Sequence, residues 1–280
     1  MNRYPVLVLC LLAAGSTTAA EKVLDKTFTV SPDGTLWVDA DSASVRVSGV
    51  DTRQVVVRMR STGSDQGLAD TRLEAIQSGD DVRLTMRRSD SKRWFSWRSW
   101  SGDDRIEVTV PRRYMVNVRT GGGSIDLKDT IGTATLRTSG GDIDVKNLSG
   151  TVDLRTSGGG ILAESIRGDV NADTSGGDVR LLQIDGKIKG STSGGNVRVS
   201  LVGANREILA STSGGDIELS LPSTTTGTVE ATTSGGEITS DLPVTSTSTR
   251  EGRLEGSLNG GGPPIRARTS GGSIRLRVEN

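Results

Sequence analysis

The sequence predicts an all-β fold: a single elongated, β-helix-like solenoid with two-strand rungs of about 18 residues. Three observations predict it. A Thr-x-Gly-Gly corner recurs at Thr120, Thr138, Thr156, Thr174 and Thr192, always 18 residues apart, and a short fixed period is a solenoid signature. Between corners, apolar and polar residues alternate: Ile143 and Val145, then Val152 and Leu154, are separated by Asp144 and Asp153. Period-two alternation marks half-buried strands. Aromatics make up 3% of the chain while 37 residues are glycine, a composition suited to a thin aliphatic core.

Taken in chain order, residues 1–20 read as a secretory signal peptide. Asn2-Arg3 gives a positive start, Val6 to Ala14 is apolar, and Thr18-Ala19-Ala20 is a small-residue cleavage site. The apolar run is too short to span a bilayer, so the mature chain is expected to begin at Glu21. Cys10 follows Leu9, whereas a lipidated cysteine follows a small residue, so no lipid anchor is expected. No later apolar stretch is long enough for a transmembrane segment.

Residues 21–118 read as degenerate β repeats with a Trp-rich insertion. Val38, Ala40, Val45, Val47 and Val50 match the spacing of Val118, Thr120, Ile125, Leu127 and Thr130. Val55 and Val57, then Val82, Leu84 and Met86, then Ile106, Val108 and Val110, form further alternating runs, with Pro111 marking a strand end. Leu68 to Ile76 is the one stretch with helical character. Residues 119–280 carry the regular repeats, continuous with the preceding part. Leu148, lying between the two strands of its unit, is expected to turn inward. Glycines at the corners are expected to supply positive φ. The corner returns at Thr212, Thr233 and Thr269, and the last interval of 36 reads as two repeats with Asn259-Gly-Gly-Gly262 between them. The corner threonines predict a ladder of stacked hydroxyls.

Composition excludes several chemistries. The only cysteine lies in the leader and there is no histidine, which removes disulfides, zinc sites and histidine-based catalysis from the mature chain. No metal, no cofactor and no catalytic residue is expected. Lysine plus arginine equals aspartate plus glutamate, 34 each, which argues against nucleic acid as a partner. Asp142, Asp178, Asp216 and Glu237 follow Gly-Gly corners, with Ser124, Gly160 and Asn196 in the same slot of other rungs. The alternation keeps like charges from stacking, a structural reading that outweighs a calcium row or a catalytic cluster. The candidate contact site is Trp94, Phe95, Trp97 and Trp100 with Arg93 and Arg98. Amphipathic rings and cations suit a lipid surface or a glycan, and the same rings could instead cap the solenoid.

The Thr-Ser-Gly-Gly-Asp-Ile-type corners at 138–143, 174–179 and 212–217, Val110-Pro111, and Leu258-Asn-Gly-Gly-Gly-Pro-Pro264 leading into Arg268-Thr-Ser-Gly-Gly272 resemble the bacterial putative-adhesin family of β-strand-repeat proteins over roughly residues 35–280. The resemblance implies an exported β-solenoid with an adhesive or scaffolding role and no catalytic residue. The expected function is an exported, non-enzymatic, adhesin-like binding or scaffold protein of the bacterial cell envelope, periplasmic, cell-surface or secreted, with an envelope glycan, lipid surface or protein as partner. The alternatives are a β-helical lectin or polysaccharide-acting enzyme, and a self-assembling solenoid polymer.

Overall fold

The computed structural model describes residues 20–63, 65–88 and 103–279. Among these residues the strands form one sheet of twelve and one of thirteen. Their inner faces enclose one apolar cluster that includes residues from Val30 to Leu276. Each regular unit gives one strand to each sheet: after Thr138, Ile143–Ser149 lies in the twelve-stranded sheet and Val152–Arg155 in the other. Alternation buries Ile143, Val145, Val152 and Leu154, each contributing roughly 1.5–3 kcal/mol when fully buried. Neighbouring units pair in parallel and in step, so that Ile125, Ile143, Ile161 and Val179 are direct partners.

The first strand of four units holds one residue in the left-handed region, Asp129, Asn147, Ser165 and Gln183, with φ of 60°, 55°, 58° and 56°. An inserted residue reverses the alternation. Leu148 is therefore buried as expected, and Thr130, Ile166 and Ile184 fill the equivalent slot. Gly150 has a φ of 141°, a conformation that glycine adopts without strain. The corner glycines obey another rule. Gly141, Gly159, Gly177 and Gly195 do not have positive φ. A Cβ on any of them would run into the carbonyl oxygen of the equivalent glycine one rung earlier. Close stacking, and not φ, demands glycine there.

The corner threonines are buried. Thr138 Oγ1 donates to the Gly123 carbonyl at 2.9 Å and accepts from the Gly141 N–H at 3.3 Å. Thr156, Thr192 and Thr212 repeat the pattern. The hydroxyls thus bind the backbone of the rung before, not one another. The slot after each glycine pair forms a second seam. The Gly160 N–H donates to Asp142 Oδ1 at 2.7 Å, the Asn196 N–H to Asp178 Oδ1 at 2.9 Å, and the Ser273 N–H to Asp216 Oδ1 at 2.7 Å. These carboxylates hold the next rung's backbone.

Stacking order departs from chain order at both ends. The rung of Thr35–Ala40 and Ser44–Val50 lies between the rung of Asp81–Arg88 and Arg105–Pro111 and that of Met115–Thr120 and Ile125–Ile131. The expected match is realised as direct pairing of Val38 with Val118, Ala40 with Thr120, Val45 with Ile125 and Val47 with Leu127. Val50 is exposed, because its strand has no left-handed insertion. The last rung, Pro264–Arg268 and Ile274–Val278, slots between Ile208–Ser211 with Ile217–Leu221 and Gly227–Thr232 with Ile238–Ser240. The 36-residue interval is therefore not two repeats. It holds the antiparallel hairpin of Thr245–Arg250 and Arg253–Leu258, and Asn259 and Gly260 turn out of it at φ of 46° and 89°. The stretch read as helical, Leu68 to Ile76, is mostly the strand Thr71–Ser78; only its first two residues belong to a five-residue helix, Asp65–Ala69.

The outermost strands at one end, Ala20–Thr29 and Thr71–Ser78, are antiparallel additions. Lys22 and Lys26 point from the first toward the second. Lys22 Nζ donates to the carbonyls of Leu68 and Thr71, and Lys26 Nζ to that of Ala75 at 2.8 Å. Inward charges on an edge strand oppose strand addition. Nearby, the buried Tyr114 hydroxyl donates to the Asp80 carbonyl. Burial first, then the charges of Asp81 and Asp80, push its ionisation well above the usual phenol range.

Two outcomes follow from this packing. Gly159→Ala should lower stability by about 2 kcal/mol, the scale of an overpacked interior, while Gly140→Ala, whose nearest neighbour would lie at 3.5 Å, should be tolerated; urea unfolding of both compares them. Replacing Lys22 and Lys26 together by Val should make the protein associate as its concentration rises, read by light scattering, whereas the parent chain stays at one mass.

Candidate functional site

The αL residues build an open groove of about 770 Å³ along one side of the solenoid. Asp129, Asn147, Ser165 and Gln183 line it, one from each of four consecutive rungs. Each is lifted out of its strand by the insertion that sends the next residue inward. Asn147 Nδ2 donates to Asp129 Oδ1 at 3.1 Å and Ser165 Oγ to Gln183 Oε1 at 2.7 Å. Non-glycine residues in this region cost of order 1–3 kcal/mol each, so four in register form a strained polar rail. Exposed Ile131, at 46%, and Val202 flank the groove. The rail ends at Gln183 because the next strand, Val197–Leu201, lacks the extra residue and pairs with a shift between Leu181 and Ile184.

The groove carries two carboxylates near its opposite ends. Asp129 accepts from Asn147, and Asp185 pairs with Arg206 at 3.4 Å. They sit three rungs apart, which is about 14 Å at the usual strand spacing. Glycoside-cleaving pairs stand within about 10 Å of each other, so these two cannot flank one bond. Beneath the groove, Thr130 Oγ1 is buried with no hydrogen-bond partner among the described residues.

The outer face of the twelve-stranded sheet is a row of charges in register, including Asp25, Arg58, Glu107, Arg46, Asp126 and Asp144. Exposed pairs such as Arg58–Asp25 at 3.1 Å contribute little individually. Asp144 stands out, with Oδ1 lacking a hydrogen-bond partner among the described residues. Burial, opposed by Lys146 and reinforced by Asp126, Asp142 and Glu164, raises its carboxyl above the usual range. On the thirteen-stranded sheet, Trp37 is 40% exposed, with the Arg83 guanidinium 5.7 Å from its ring.

The sequence-predicted contact residues Trp94, Phe95, Trp97, Trp100, Arg93 and Arg98 lie outside the described residues, as do residues 1–19 of the leader. The rail residues escaped sequence reading because their types differ. The signal present was a polar residue at a constant offset from Thr120, Thr138, Thr156 and Thr174, two of them the Asp and Asn that best tolerate αL. Trp37 escaped as a lone aromatic in a degenerate strand, though it occupies an outward slot between buried Leu36 and Val38.

The fold and groove define a β-solenoid of stacked two-strand rungs with open outward surfaces. The chain belongs to the Toastrack DUF4097 family, whose profile matches residues 34–277. It is similar to solved structures of a putative cell adhesion protein from Clostridium sporogenes (13% identity, covering 92% of this chain and 100% of that one, TM-score 0.27), a putative adhesin from Bacteroides fragilis (12%, 92% and 97%, TM-score 0.47) and a putative lipid binding protein from Parabacteroides distasonis (12%, 91% and 96%, TM-score 0.40). No curated protein matches the chain. Among the described residues no helix is long and apolar enough to cross a membrane, and no group of three or more acidic, histidine or cysteine side chains is placed to hold a metal ion.

Thr130→Val removes the unpaired buried hydroxyl at nearly constant volume and should raise stability by about 1 kcal/mol in urea unfolding. Asp144→Asn should raise the melting temperature at neutral pH. The native carboxyl is harder to ionise folded than unfolded, so the folded state loses stability as pH rises through the carboxylate range and keeps it in acid. The advantage of the variant should therefore vanish below about pH 3.8, which a pH series of thermal melts checks.

Proposed function

We propose that this protein is an exported, non-enzymatic, adhesin-like binding or scaffold module of the bacterial cell envelope, and that its groove receives an extended envelope ligand. The carrying observation is the strained rail of Asp129, Asn147, Ser165 and Gln183, repeated over four rungs. The insertion serves the core by burying Leu148, Ile166 and Ile184, but burial alone does not ask that the lifted residue be polar in every rung or bonded to its neighbour on the next. Hydroxyl and amide groups at rung spacing, with apolar Ile131 and Val202 at the rims, suit a chain-like ligand with a repeating polar edge. The separation of Asp129 and Asp185 speaks for binding over bond cleavage. The inward lysines at the outer edge speak against end-to-end polymerisation.

The Trp-rich segment belongs to the same proposal. Trp94, Phe95, Trp97 and Trp100, with Arg93 and Arg98, supply rings and cations suited to a lipid or glycan surface. The secretory leader places the mature chain in the periplasm, at the cell surface or outside the cell. A screen of residues 21–280 against envelope glycans and lipids tests the reading. Asn147→Gly with Gln183→Gly, which keep the left-handed backbone without strain, should abolish the retained ligand without lowering the melting temperature. Trp94, Trp97 and Trp100 changed together to Ser should weaken binding at unchanged melting. If no glycan, lipid or envelope fraction is retained by the parent protein, the binding reading fails.

A further inference from the structure

The thirteen-stranded sheet carries a feature that stacking does not require. Arg119, Arg137 and Arg155 are direct partners on the consecutive strands Met115–Thr120, Ala134–Arg137 and Val152–Arg155. It is the longest run of like charge in either sheet among the described residues. Like charges directly opposite are destabilising; among the described residues they meet in pairs elsewhere, as Asp126 with Asp144 and Arg180 with Arg198, but only here does the contact run over three strands. Asp153 pairs with Arg137 at 3.1 Å and Arg155 at 3.3 Å, and Asp39 and Asp173 stand in register at the two ends of the row. Asp153 also accepts from Asn171 Nδ2 at 2.7 Å. Arg119 has no ion pair among the described residues, since its neighbour Asp39 is held by Arg87. The side chains of Arg137 and Arg155 are 47% and 50% exposed.

Beside the row stands an aromatic platform. Trp37 is the direct partner of Asn117, two residues before Arg119 on the neighbouring strand, and its ring faces outward with Arg83 against it. Exposed guanidinium groups recur about every 4.8 Å, the spacing of parallel strands. That spacing is comparable to the repeat of a linear sugar chain, and guanidinium groups pair with carboxylates in a planar two-point contact. A tryptophan face packs on the apolar face of a sugar ring.

We propose that this face binds an acidic linear polysaccharide bearing uronate carboxylates, with Arg119, Arg137 and Arg155 taking successive carboxylates and Trp37 a ring face. The inference rests on the reading of the chain as a binding module and adds a surface distinct from the groove.

Polygalacturonate oligomers, titrated by calorimetry against residues 21–280, test it. Binding is expected at low salt and should weaken as ionic strength rises. The variant with Arg119, Arg137 and Arg155 all changed to Gln should bind at least about tenfold more weakly. Its melting temperature should be unchanged or higher, because a like-charge contact is relieved. Trp37→Ala should weaken binding about fivefold while Trp37→Phe retains it. The methyl-esterified oligomer, which keeps the sugar backbone and loses the charges, should not bind. Equal binding of the esterified chain, or undiminished binding by the triple variant, overturns the proposal. So does a wild type that ignores the oligomer yet binds phosphatidylglycerol vesicles through the same arginines, which assigns the face to membranes. If the wild type ignores polygalacturonate but retains a ligand lost on changing Asn147 and Gln183, this inference fails and the module reading stands. If neither ligand binds, both fail.

Discussion

The close approach of each corner to the one before it is the constraint on which the rest depends. At Gly141, Gly159, Gly177 and Gly195 the backbone passes so near the carbonyl of the preceding rung that no side chain fits. That contact fixes the phase of stacking. Once it is set, the threonine hydroxyl three residues earlier in the unit falls within reach of the previous glycine's carbonyl, and the following side chain within reach of the next N–H. Both seams satisfy backbone groups that would otherwise be unpaired at a bend. The inward aliphatics then meet in step without further specification. A conformationally loose residue thus becomes the most restrictive position of the unit.

What the sequence made legible follows the same division. The corners, the alternation and the inward turn of Leu148 all repeat at a fixed interval, and periodicity is what a single sequence can show. The pairing of Val38 with Val118 and Val45 with Ile125 was legible too, because spacing survives when residue types drift. Stacking order at the ends was not. A rung presents the same pattern to either neighbour, so nothing in residues 264–278 says that they insert between two earlier rungs. The antiparallel hairpin of residues 245–258 hid within an interval that happened to equal two periods. The rail was hidden differently, since its selection is for a backbone conformation that Asp, Asn, Ser and Gln each reach.

Net charge proved a poor guide to the surface. A total of zero conceals an ordered distribution in which strand register decides which charges meet. Along the twelve-stranded sheet most arginines have an acid beside them, as Arg46 has Glu107 and Asp126 at 3.9 and 3.8 Å. Such exposed pairs add little stability, so their effect is to make that face electrostatically quiet. The three stacked arginines of the other sheet, two of them sharing Asp153, instead put like charge beside like charge on adjacent rungs that are otherwise the most regular among the described residues. Regularity there removes folding as an explanation, because the neighbouring slots show that aspartate or serine serves equally well: Asp173 and Ser191 continue the same column.

The ends decide which surfaces remain for function. A stack of parallel strands would expose two unpaired edges at each end, and those edges invite addition of further strands. Here antiparallel strands finish both sheets at one end and the thirteen-stranded sheet at the other, where the twelve-stranded sheet stops at the short parallel strand Ile238–Ser240, and chain doubles back to place an earlier or later rung inside the stack. Doubling back ties the outermost rung to strands on both sides of it in sequence, so that rung cannot peel away without disturbing its inserted neighbour. At the outer edge near Ala20 the lysine pair adds donors that bind the opposite sheet's carbonyls, occupying space that an incoming strand's side chains would need. Growth along the axis is opposed at that end, and the sides offer the longer surfaces for recognition. The groove with its rail and the arginine-bearing sheet face are both lateral, and both extend over several rungs. A ligand reaching either must itself be extended, which links the repeat in the chain to a repeat in what it holds.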